Sequence, residues 1–199
     1  MSDDIKLAVY IDDNGTKEEI TISKYKQFLK EKDRDAIADF IYGRLHSRYI
    51  NPFEEHGSAN PRKNGFSMMA NYCLLVETLQ SFKNGWGDSD RRSGEAFKQF
   101  FSDNPDFSEL KGEGQKIHRH IRCGILHQGE TTGGWRITRK GKELINKKDR
   151  VINAYLFGKR ITDNLKRYRK SLKTSDWDSE EWDNFRVKMR RIIANTKIK

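Results

Sequence analysis

The stretch Phe66–Phe82, FSMMANYCLLVETLQSF, decides the fold class of this chain. Apolar side chains occupy almost every face of a helix drawn through it, which is typical of a helix in the middle of a bundle or against a partner subunit. Glu77 is the only acid in the stretch, and burying an unpaired carboxylate is energetically costly. Glu77 therefore needs either a partner or a place at the surface.

The pattern on both sides of this stretch is mostly helical. Apolar residues recur at three- and four-residue steps over residues 33–50, 113–127, 151–172 and 178–192, and this period predicts amphipathic helices. Two short β elements accompany them, an N-terminal hairpin that turns at Asn14-Gly15 and a small β-ribbon near residues 135–145. The fold class is therefore predicted to be all-α, a helical bundle with two small β additions.

The chain is predicted to form a single helical domain over residues 1–199. A hairpin and short helix occupy residues 1–32, a helical core occupies residues 33–172, and a C-terminal helix occupies residues 173–199. This length is enough for one hydrophobic core and short for two. No run of 18 uninterrupted apolar residues occurs, so no membrane span is expected.

Positive charge is concentrated in residues 111–175, which contain 18 Lys and Arg against 5 Asp and Glu. The whole chain has a formal net charge of +10, so this segment supplies the positive balance. Such a distribution indicates a polyanionic partner, and the alternative is a solvated cationic face without one.

The acidic start MSDDIK is unlike a signal peptide, and Cys73 and Cys123 lack a paired spacing. A cytoplasmic protein with reduced thiols is therefore expected.

The run Arg122-Cys-Gly-Ile-Leu-His127 lies at the start of this basic half. Arginine binds a phosphate through its planar fork, and histidine exchanges a proton near neutral pH. The pair is suited to metal-free chemistry on a phosphodiester. Five helical steps separate the two side chains by about 140°. They meet at one phosphate only if the helix distorts between them, as Gly124 or Gln128-Gly129 would allow, or if two chains contribute.

This Arg-x4-His motif, near the end of a late helix in a small bundle with a basic tail, resembles the HEPN family. The resemblance covers roughly residues 33–172 and maps the family motif onto Arg122 and His127. It implies a metal-independent endoribonuclease whose homodimer forms a shared cleft, often a toxin with an antitoxin or a phage-defence effector with a partner protein. In that mechanism a ribose 2′-OH of RNA attacks the neighbouring phosphate, His127 moves the proton, and Arg122 stabilises the phosphorane charge.

Three further residues are interpreted around this motif. Glu77 is predicted to orient Arg122 or a histidine, unless it is a helix-end or surface acid. His118 lies four residues before Arg122 on the same helical face and is assigned as an auxiliary RNA contact, with an ordinary surface position as the simpler alternative. Cys123 stands where active ribonucleases of the family usually have a polar residue, and we interpret it as a buried thiol because a nucleophile needs a base within reach.

Seven basic side chains are predicted to contact the RNA backbone. They are Arg119, Lys159, Arg160, Lys166, Arg167, Arg169 and Lys170. Neither a metal nor another cofactor is expected, because no Cys, Asp or Glu completes a ligand set with the histidines. Two other interpretations stay open. One is a non-catalytic module of the same fold that binds RNA, a nucleotide or a protein, and the other is a helical interaction protein in which Arg122 only ties helices together.

Overall fold

The computed structural model describes residues 4–54 and 64–196, and the chain is mostly helical, as predicted. Strands β1 (Lys6–Ile11) and β2 (Lys17–Thr21) form the predicted antiparallel N-terminal hairpin. The helices in chain order are α1 (Ile22–Glu31), α2 (Arg34–Tyr49), α3 (Asn51–Glu54), α4 (Gly65–Lys83), α5 (Ser93–Asp103), α6 (Gly114–Ile117), α7 (Cys123–Gln128), α8 (Ala154–Thr174) and α9 (Glu180–Thr196). None of the helices in these ranges combines the length and apolarity that a bilayer crossing requires.

The chain divides into two compact units that are not consecutive in sequence. The hairpin unit comprises Met1–Arg48, Ser81–Asp88 and Leu165–Lys199. The motif unit comprises Tyr49–Gln80 and Ser89–Asn164, and it includes both residues of the Arg-x4-His motif. The single-domain organisation stays a prediction.

The hairpin unit is anchored at an irregularity in β1. The strand register shifts between Lys6 and Ala8, and the carbonyl oxygen of Leu7 accepts hydrogen bonds from the guanidinium groups of Arg44 and Arg48. A register shift of this kind leaves a backbone group without a hydrogen-bond partner on the neighbouring strand. The two arginines of α2 satisfy that group, so the hairpin is attached to the helix that follows it.

Aromatic side chains form the centre of the motif unit. Phe101 of α5 and Phe107 of the 3-10 helix Pro105–Leu110 are both fully packed, and their ring centroids lie 6.0 and 5.1 Å from that of Phe157 in α8. Tyr72 of α4 stacks on Phe157 at 6.2 Å. This cluster joins α4, α5 and α8. Helix α5 also packs against the helix over residues 114–128, which contains the Arg-x4-His motif and is called the motif helix.

The strand pairing predicted for a β-ribbon near residues 135–145 is wrong. Strands β3 (Arg136–Thr138) and β4 (Ile145–Asn146) both pair with β5 (Val151–Asn153), in the order β3-β5-β4. Residues 151–153 were expected to begin the long helix. The Asn153 side chain instead accepts hydrogen bonds from the backbone of Tyr155 and Leu156, which caps α8 at Ala154. Val151 and Ile152, which have β-branched side chains, therefore lie in strand β5 instead of in the helix.

The approach of the motif helix to α5 depends on Gly114. A Cβ atom built at this position would lie 2.7 Å from the Phe97 carbonyl oxygen and 2.8 Å from the Lys98 Cα. Both are backbone atoms, so the two helices would have to separate to accept any side chain. The absence of a side chain at position 114 therefore sets how closely the motif helix approaches α5.

Gly114→Ala should lower the free energy of unfolding by about 1–3 kcal/mol, as overpacking does in a close-packed core. The sign of the change in the free energy of unfolding is informative, since Gly→Ala inside an unconstrained helix stabilises a protein by about 1 kcal/mol. Urea unfolding followed by circular dichroism measures the change. Ser102→Ala, at an exposed site on α5, is the control and should stay within about 0.5 kcal/mol of the unmodified chain. An unchanged or stabilised Gly114→Ala protein would contradict this packing.

Candidate functional site

The motif helix is present but is not a uniform α-helix. A π-helical segment, His118–Arg122, lies between α6 and α7, and the Cys123 N–H donates to the His118 carbonyl oxygen across it. Single π-turns inside α-helices are frequent at functional sites. In this wider turn residues five apart lie closer together around the helix axis than in an α-helix, where about 140° separates them. The segment therefore brings the side chains of His118 and Cys123 to the same face.

Glu77 and Arg122 form an ion pair in the interior of the motif unit. The Glu77 carboxylate accepts from Arg122 Nε at 2.7 Å and from Arg122 Nη2 at 3.4 Å. The Glu77 side chain is 7% exposed and the Arg122 side chain 18%. Ser89 Oγ lies 3.4 Å from Glu77 Oε2 and donates to it. The carboxylate therefore fixes one edge of the guanidinium, while Nη1 lies 3.9 Å from the sulfur of Cys123.

His118 contacts two side chains through its Nε2 atom. Ser93 Oγ lies 2.9 Å from Nε2, and Cys123 Sγ lies 3.6 Å from it. Burial lowers the pKa of His118, and the positive charge of Arg122 lowers it further, against an opposing effect of Glu77. Both effects favour the neutral form of the imidazole. It is not the exposed surface residue that was the simpler alternative.

Cys123 corrects an expectation from the sequence. It is half-buried, whereas Cys73 of α4 is fully buried, so the interpretation of Cys123 as a buried thiol is wrong. The base that the sequence did not reveal is His118, which the π-helical register brings within 3.6 Å of the thiol. A sequence pattern based on 3.6 residues per turn places the two side chains on different faces, which is why the contact was missed.

His127 lies apart from this cluster. It is exposed in the last turn of α7, and it makes no hydrogen bond or ion pair with any residue in the described ranges. The helix is regular from Cys123 to Gln128, so no distortion separates Arg122 from His127. Gly124 serves packing instead, since a Cβ there would lie 2.5 Å from the Glu130 carbonyl oxygen. Within one chain the two motif side chains therefore point in different directions.

The seven basic residues assigned to RNA divide into two groups. Arg160 donates to Glu109 at 2.7 Å, and Arg169 donates to Asp13 at 2.8 Å, also pairs with Asp39, and stacks over the Tyr42 ring. Both guanidinium groups are held within the protein by these contacts. The other five side chains are exposed: Arg119, Lys159, Lys166, Arg167 and Lys170.

Ser93 and Ser89 were not identified from the sequence. Both come close to the motif through folding alone, since Ser93 lies 25 residues before His118 and Ser89 lies 12 residues after Glu77. No spacing rule connects either serine with its partner. Across the described part of the chain, no group of three or more His, Cys, Asp or Glu side chains is arranged to hold a metal ion.

Comparisons with known proteins add no family. No family model matches the chain, and neither the curated proteins nor the solved structures contain a significant match. We therefore infer a function from the geometry of one cluster, which we call the motif cluster. It consists of Glu77, Ser93, His118, Arg122 and Cys123.

Arg169→Ala should destabilise the protein by about 1–2 kcal/mol, because it removes the ion pair with Asp13, one of the two cations paired with Asp39, and the stacking on Tyr42. Lys170→Ala, at the neighbouring exposed position, should leave stability within about 0.5 kcal/mol of the unmodified chain. Chemical unfolding of the two variants makes the comparison. Equal stability of both would show that the Arg169 ion pairs contribute nothing measurable.

Proposed function

We propose that this chain is a metal-independent endoribonuclease of the HEPN type that acts as a cytoplasmic homodimer. The proposal includes a role as a toxin or phage-defence effector, with an antitoxin or defence protein as partner. The observation that carries it is the double hydrogen bond from Arg122 to the buried Glu77. A guanidinium held in this way keeps its charge and its orientation, which are the properties needed to stabilise a phosphorane.

One edge of Arg122 is available to a phosphate. Glu77 occupies Nε and Nη2, and the Nη1 group has no oxygen acceptor among the residues that the structure describes. The side chain is 18% exposed, so a ligand has access to part of it. A phosphate oxygen bound by Nη1 would complete the donor set of the arginine.

His127 is proposed as the residue that moves the proton. It is exposed and without a hydrogen-bond partner in the described ranges, so its imidazole is accessible to RNA. Because α7 is regular, the His127 of one chain is proposed to act with the Arg122 of a second copy. Leu126, directly before it, is 41% exposed and offers an apolar contact for that second copy.

RNA would bind through the exposed cations of the chain. Five of the seven assigned side chains are exposed, and their attraction for a phosphate backbone weakens as salt increases. RNA rather than DNA is proposed as the substrate because only RNA carries the 2′-OH that attacks the adjacent phosphate.

A non-catalytic module that binds RNA or a nucleotide is the second candidate. One observation favours it: within a single chain the charge of Arg122 is already matched by Glu77, and His127 points in another direction. Such a protein would bind RNA through its exposed cations and leave the strand intact.

Cleavage of a labelled RNA in the presence of EDTA distinguishes these candidates. We expect the unmodified protein to yield fragments with 2′,3′-cyclic phosphate ends, and His127→Ala to lower the cleavage rate by about 10²–10⁴-fold while retaining RNA binding. Arg122→Ala should also abolish cleavage, because it removes the charge that stabilises the transition state. The same sequence made of DNA should stay intact.

His46→Ala is the matched control, since His46 stacks on Tyr42 in the hairpin unit and lies outside the motif. The His46→Ala protein should cleave the RNA at the rate of the unmodified protein. Cleavage that survives His127→Ala would refute the proposed role of His127, and binding without any cleavage would favour the second candidate.

A further inference from the structure

The two cysteines of the chain occupy opposite environments. Cys73 is fully buried in α4, and burial raises the pKa of its thiol well above the ordinary value. Cys123 is half-buried, and its sulfur lies 3.6 Å from an imidazole nitrogen and 3.9 Å from a guanidinium nitrogen. The protein therefore contains one thiol beside an imidazole and a guanidinium, and a second, buried thiol that serves as its internal reference.

The neighbours of Cys123 supply what a nucleophilic thiol requires. The Nε2 atom of His118 lies 3.6 Å from the sulfur, so it is placed to take the thiol proton. Arg122 lies beside the sulfur and interacts favourably with a negative charge once it has formed there. Ser93 is within hydrogen-bond distance of the same Nε2 atom, so it shares the imidazole with the thiol.

We propose that Cys123 and His118 form a thiol–imidazole pair that makes Cys123 a site of covalent modification by small, soft electrophiles. This pair is distinct from the proposed nuclease residues Arg122 and His127, and its reaction needs no RNA. An adduct on the sulfur would lie beside Nη1 of Arg122, so modification would also obstruct phosphate binding; this consequence alone rests on the proposed function.

The reaction with iodoacetamide illustrates the chemistry. The Cys123 thiol proton passes to His118 Nε2, and the sulfur forms a bond to the methylene carbon of the reagent. The carbon–iodine bond breaks and iodide leaves with its electron pair. His118 then returns the proton to solvent, so the products are a thioether, iodide and one proton.

The test is the rate of alkylation by iodoacetamide at pH 7, measured by mass spectrometry on the intact protein and on its peptides. An unactivated thiol is only a few per cent ionised at this pH, so we expect Cys123 to react about tenfold faster than glutathione. Cys73 should stay unmodified in the folded protein. A Cys123 that reacts no faster than glutathione would overturn the proposal.

Two variants distinguish activation of the Cys123 thiol by His118 from simple solvent exposure of that thiol. His118→Gln should lower the rate about tenfold while Cys73 stays protected, and labelling of Cys73 would reveal a variant that has unfolded. Ser93→Ala should raise the rate, because Nε2 is then no longer shared with a hydroxyl. An unchanged rate in a folded His118→Gln protein, or no increase in Ser93→Ala, would contradict a role for the imidazole.

Discussion

A carboxylate buried in an apolar helix is the constraint on which the rest of the site depends. Glu77 lies in the middle of α4, where its neighbours are packed apolar side chains, and an ionised carboxylate there requires a cation. Arg122, which lies 45 residues away in sequence, supplies that cation through two N–H groups. The pair thereby holds the motif helix against α4 and determines the direction of the guanidinium. Removing one partner of such a pair leaves a buried charge and typically costs about 3–5 kcal/mol.

The π-helical segment then determines which side chains surround Arg122. Because the wider turn brings residues five apart closer together around the helix axis, His118 contacts Cys123 instead of lying on another face. Ser93 of α5 completes the contacts of the imidazole, and Gly114 allows the close approach of α5 on which that contact depends. The same geometry leaves His127 on the exposed end of α7. The motif cluster is thus organised around His118 within one chain, and His127 is not part of it.

Helical periodicity was sufficient to predict a mostly helical fold and the location of α4, because the spacing of apolar residues shows which face of a helix is buried. The turn at Asn14-Gly15 was sufficient to predict the hairpin. The need of Glu77 for a partner also followed from the sequence, since the position of a lone acid among apolar residues is a local property. The π-register was not predictable, because a single wide turn leaves no periodic signal. Strand β5 was not predicted for a related reason. It has only three residues, it ends at the cap of α8, and its partners β3 and β4 come alongside it only in the folded chain. Ser93 likewise reaches His118 only through tertiary packing.

A double-mutant cycle on Glu77→Gln and Arg122→Gln measures whether Glu77 holds Arg122 in place. Urea unfolding of the unmodified protein, both single variants and the double variant gives the coupling free energy between the two side chains. We predict a coupling of about 1–3 kcal/mol, with the double variant losing less stability than the two single losses combined. Additive losses, equal to the combined value within about 0.5 kcal/mol, would show that Glu77 does not hold Arg122.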